Sequence, residues 1–76
     1  MNAERRKAIE KLAAEMEDIK GELETLKDEE QDYYDNMPES LQASDRGETA
    51  QAAIDALDNA ISSMEEAISS AEEALG

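Results

Sequence analysis

The chain has 76 residues, with 21 acidic against 7 basic side chains for a net charge of −14, and no cysteine or histidine. So short a domain has little room for an enclosed pocket, and the missing residue types exclude disulfide staples, thiolate metal sites and the commonest acid–base group. A surface of this sign repels nucleic acid and anionic membrane and attracts basic protein surfaces.

The opening Met1–Lys7 is basic but leads into an amphipathic pattern, not an apolar signal core. No apolar run approaches the roughly 20 residues needed to cross a bilayer, so a cytoplasmic, non-membrane protein is the expectation. The pattern predicts a first helix from about Ala3 to Tyr34. With Ile9 as position a of a heptad, the seam reads Ile9, Met16, Leu23 and Glu30 at a, and Leu12, Ile19, Leu26 and Tyr33 at d. Gly21 falls at the outer f position, where glycine costs about 1 kcal/mol relative to alanine without touching the seam.

A connection over residues 35–45 follows. Pro38 lacks an N–H and restricts Met37, so the first helix cannot run through it, although Pro38 is well placed to open one short turn of its own. Met37, Leu41 and the Tyr33–Tyr34 pair are expected to cover this end of the molecule. Asp45 followed by Glu48 has the form of a capping box, predicting a second helix from about residue 46 to residue 75.

Three consecutive heptads, Ala53–Asn59, Ala60–Glu66 and Ala67–Glu73, fill that second helix. Position a holds Ile54, Ile61, Ile68 and Leu75, and d holds Ala50, Leu57, Met64 and Ala71. Position g is alanine throughout, at Ala53, Ala60, Ala67 and Ala74, and c is small throughout, at Thr49, Ala56, Ser63 and Ser70. The face is therefore wider than one partner helix requires, and its small side chains allow a further helix to approach closely.

Charge sets the pairing. Lys20 and Lys27 at e of the first helix oppose Asp58 and Glu65 at e of the second when the helices run antiparallel, while Glu15, Glu22 and Glu29 at g meet only alanines. Placing a against d pairs Ile9 with Ala71, Leu12 with Ile68, Met16 with Met64, Ile19 with Ile61, Leu23 with Leu57 and Leu26 with Ile54. The fold class is thus all-α: an antiparallel two-helix coiled-coil hairpin, a single domain over residues 1–76. A lone hairpin leaves one side of each seam wet, so the alanine column at Ala53, Ala60, Ala67 and Ala74 is expected to make it a homodimer, a four-helix bundle.

Candidate chemistry is sparse. Adjacent carboxylates recur at Glu29–Glu30, Glu65–Glu66 and Glu72–Glu73, but no loop has calcium-ligand spacing, and di-iron bundles need histidines that are absent. Acid–base work by a carboxylate pair needs a pocket to shift one pKa. No catalytic residue, cofactor or metal ligand is predicted, and the acids read as a solvated face. Met16 and Met64 read as core filler, and Ser62–Ser63 and Ser69–Ser70 as small residues for close packing. Arg46, next to a helix N-terminus, is expected to pair with Asp35, Asp45 or Glu30.

The stretch from Asp28 through Tyr33-Tyr34-Asp35-Asn36-Met37-Pro38 to Ser44-Asp45-Arg46-Gly47-Glu48, with the Ala-Ile heptads after it, resembles a group of small acidic proteins encoded by tailed phages and prophages. The resemblance spans residues from about Asp28 to the end and is most distinctive between the tyrosines and Gly47. It implies expression in a bacterial cytoplasm and a role against, or in control of, a host or phage protein. It brings no catalytic residue.

The leading functional expectation is a non-enzymatic interaction module whose acidic rows occupy a basic surface of a nucleic-acid-acting or defence protein, in the manner of a phage-encoded inhibitor. Those rows are Asp58, Glu65, Glu66, Glu72 and Glu73 on the second helix, spanning about 22 Å at 1.5 Å per residue, and Glu10, Glu17 and Glu24 on the first. The alternative is a homo-oligomeric structural or assembly protein in which charge serves solubility.

Overall fold

A computed structural model covers residues 1–76 and contains three helices and no strand: α1 (Ala3–Asp35), α2 (Glu39–Gln42) and α3 (Asp45–Ala74). Helix α1 starts where Asn2 serves as N-cap, its side-chain oxygen accepting from the Arg5 backbone N–H at 2.7 Å. It ends at Asn36, whose N–H donates to the Asp32 carbonyl at 3.0 Å, and the Met37 N–H donates to the Tyr34 carbonyl at 3.1 Å just ahead of Pro38. Pro38 then opens the single turn α2, its carbonyl accepting from Leu41 and Gln42 N–H groups at 2.9 and 3.0 Å. Gln42 Nε2 donates to the Tyr34 carbonyl at 3.0 Å, which ties this turn back onto the end of α1.

The N-terminus of α3 differs from the expected capping box. Ser44, not Asp45, occupies the N-cap, and no side chain caps the helix, because the Ser44 hydroxyl donates backwards to the Leu41 carbonyl. Close contact governs this corner. A Cβ on Gly47 would collide with the Gln42 backbone carbonyl, so only glycine lets the first turn of α3 lie against α2. Gly47 is buried there, as is Met37 in the connection.

Two ion pairs fix the direction of α1 against α3. Lys20 Nζ lies 3.7 Å from Glu65 Oε1, and Lys27 Nζ lies 2.8 Å from Asp58 Oδ1. One heptad forward along α1 is thus one heptad back along α3, which makes the hairpin antiparallel. These are also the e-to-e contacts that the predicted register requires. At the far end Arg6 comes within 3.9 Å of the position a Gly76 side chain would take. The result is a rod of 58 × 14 × 13 Å.

The seam is asymmetric. On α3 the expected face holds: Ala50, Ile54, Ile61 and Ile68 are buried, and Leu57, Met64 and Ala71 are half-buried. Each fully buried isoleucine is worth about 1.5–3 kcal/mol. On α1 the expected a/d seam is corrected. Leu12, Ile19, Leu26 and Tyr33 at d remain 54, 44, 52 and 50% exposed, so they do not fill the core opposite Ile68, Ile61 and Ile54. The covered positions are a and e: Ile9, Met16 and Leu23 with Ala13, Lys20, Lys27 and Tyr34. Ala13 is the only buried residue of α1. Small Ala13 is buried in the seam, and the half-buried lysine stems lie over it while their ammonium groups reach the α3 acids. Helix α1 is rolled toward its e side.

Candidate functional site

The roll of α1 gives the hairpin two unlike edges. At 100° per residue, e and b lie to one side of a, and d and g lie to the other. The Lys20–Glu65 and Lys27–Asp58 pairs mark the e edge. The d and g columns of both helices therefore fall on the opposite edge.

The e edge gathers both predicted acidic rows. Glu10, Glu17 and Glu24 run along it on α1, and Asp58, Glu65 and Glu72 run along it on α3, with Glu66 and Glu73 one step further round; all are exposed. Glu17, Lys20, Glu65, Ile68, Ser69 and Glu72 line one shallow open depression, so the two rows meet across the seam there. Two further open hollows lie on α3 alone, one around Ser62, Glu65, Glu66 and Ser70 and one around Glu72 and Glu73. None is an enclosed cavity. No group of three or more acidic side chains converges as a metal-ligand set.

Of the 21 acidic side chains, only Asp58 and Glu65 lie within 4 Å of a basic group. Accepting the Lys27 hydrogen bond, Asp58 holds that ammonium's pKa above the usual lysine value, against the opposing effect of desolvation. Arg46 makes no ion pair with Asp35, Asp45 or Glu30, contrary to expectation; it is exposed at the start of α3. Glu30 is half-buried beside the seam.

The opposite edge carries an apolar stripe that the heptads did not reveal, bordered on α1 by the exposed Glu15, Glu22 and Glu29. Leu12, Ile19, Leu26 and Tyr33 form a half-exposed column on α1, and alongside lie the g alanines of α3, with Ala53 and Ala60 half-buried and Ala67 and Ala74 exposed. Glu22, Thr25 and Leu26 line a hollow on this side. The loop end is only partly covered: Tyr34 is half-buried and Met37 buried, while Tyr33 and Leu41 stand out to solvent.

No family model, curated protein or solved structure matches this chain. No helix is long and apolar enough to cross a membrane.

Proposed function

We propose that the protein is a non-enzymatic interaction module that presents its acidic edge to a basic surface of another protein. The observation that carries this reading is the acidic excess of that edge: eight exposed carboxylates on two rows, of which only Asp58 and Glu65 have a basic partner within 4 Å. Opposed charge over such a length accelerates encounter and selects basic partners, including surfaces that otherwise hold a phosphate backbone. The likeness of the connection to tailed-phage acidic proteins supports a bacterial cytoplasmic setting and an inhibitory or controlling role toward a nucleic-acid-acting or defence protein. The apolar edge supports a homodimer, which leaves both acidic edges outward.

The test is capture of partners from a bacterial lysate at low and high salt, by the native chain and by row variants carrying Gln or Asn for the acids. Binding should weaken steeply with salt. Neutralising one carboxylate should weaken it slightly, whereas neutralising the α3 row should abolish it and flatten the salt dependence. The reading fails if the whole row can be neutralised harmlessly while Arg46→Ala or Tyr34→Ala removes binding. The apolar edge favours a second reading, a homo-oligomeric assembly protein. Salt-insensitive self-association with no charge-dependent partner would establish it.

A further inference from the structure

From the exposed Leu12, Ile19, Leu26 and Tyr33 column of α1 and the neutral alanine column of α3 beside it, we infer that the apolar edge is a docking surface for a second copy of this chain, with α1 of each copy seated on α3 of the other. This deepens the homodimer of the functional reading by naming its face, helix pairing and polarity.

Three observations select the occupant. The first is area. A folded monomer of 8.4 kDa exposes about 4,600 Å² by the scaling of area with mass. This chain, drawn out as a rod, exposes 5452 Å², and the excess of about 800 Å² leaves enough surface for one partner's share of a standard interface.

The second is shape. The α1 column repeats every heptad with large side chains, and the g column of α3 repeats every heptad with alanine. In the a-to-d register, which sets Leu12, Ile19 and Leu26 level with Ile68, Ile61 and Ile54, the neighbouring Ala67, Ala60 and Ala53 lie one residue from level with them. Large side chains therefore meet small ones in both directions at once.

The third is charge. Glu15, Glu22 and Glu29 flank the α1 column, so facing α1 against α1 would oppose two glutamate rows. Beyond Arg46 in its first turn, the g and c columns of α3 carry no charge, and none is acidic, so facing α1 against α3 avoids that repulsion. Of the two twofold arrangements of stacked hairpins, only an axis along the rod places α1 over the partner's α3. The two connections then lie at the same end, and the acidic edges face outward.

Sedimentation of the native chain, with disulfide mapping of mixed single-cysteine chains, tests this. The native chain should sediment as a dimer at micromolar concentration. Mixing Ile19→Cys chains with Ala60→Cys chains should yield mainly the mixed disulfide, which cannot form within one molecule. Leu26→Glu, at a half-exposed site, should dissociate the dimer while circular dichroism stays helical. A monomeric native chain overturns the inference. So does a dimer that links Ile19→Cys chains only to each other, or one indifferent to Leu26→Glu. A monomer that still captures a partner with steep salt dependence would leave the acidic-edge reading standing. A correctly linked dimer that captures nothing would do the reverse.

Discussion

Lys27 Nζ and Asp58 Oδ1 lie 2.8 Å apart across the seam, and their neighbours one heptad away, Lys20 and Glu65, repeat the contact at 3.7 Å. These pairs link helices that could otherwise slide by a heptad, because Ile54, Ile61 and Ile68 repeat with the same period. Apolar burial supplies the adhesion, and the charges choose the register.

Replacing Lys27 with Glu should lower the thermal midpoint, and adding Asp58→Lys to that variant should restore much of the loss. The pH dependence has a defined sign. Lys27 has a folded pKa above its unfolded value, so the contribution of the pair is fully present below about pH 10.4 and disappears as pH rises through the higher folded value. A thermal midpoint that falls in this alkaline range for the native chain, and falls less for Lys27→Met, is the expected result.

Two glycines in helices should respond oppositely to alanine. Gly47→Ala puts a methyl into the Gln42 carbonyl and should cost about 1–3 kcal/mol through displacement of α2. Gly21→Ala meets nothing within 4 Å on an exposed helical face and should stabilise by about 1 kcal/mol. Urea unfolding of both variants measures the contrast.

Truncations across the seam should be unequal. Ile61→Ala removes buried volume and should cost about 2–5 kcal/mol. Leu26→Ala, about half exposed, should cost about 1 kcal/mol in dilute solution and progressively more as protein concentration rises into the dimer range. A concentration series of unfolding curves separates the two contributions.

Ionic strength should stabilise the hairpin. Two surface ion pairs are weakened by screening, but so is the mutual repulsion behind a net charge of −14, which involves many more charges. The thermal midpoint should rise as salt goes from about 0.01 to about 0.1 M, where the screening length falls from 30 to 10 Å.

The helical content, the break at Pro38 and the antiparallel pairing were legible because each rests on a local signal: heptads, a missing N–H and lysines placed opposite acids. The roll of α1 was not. A heptad marks a and d as equally apolar, and nothing in that pattern says that one partner helix will cover a with e and leave d outside. The burial of Ala13 and the reach of the lysine stems mark this roll, and both are properties of the assembled pair. The same limit applies at Ser44, where competition from the Leu41 carbonyl displaced the expected cap. Both acidic rows were legible residue by residue, and the e-to-e pairing of the lysines places them on one edge.

The burial pattern also bears on how this sequence can change over time. Five of the seven buried residues, Gly47, Ala50, Ile54, Ile61 and Ile68, belong to α3, against Ala13 alone on α1 and Met37 in the connection. Folding of the single hairpin therefore tolerates wide substitution along α1, provided helix-forming residues and the two lysines are retained. Random mutagenesis scored only by solubility should clear variants from the buried column of α3 and accept them along most of α1. Any residue of α1 that then proves intolerant, Leu12 and Ile19 first among them, is held in place by something outside its own chain.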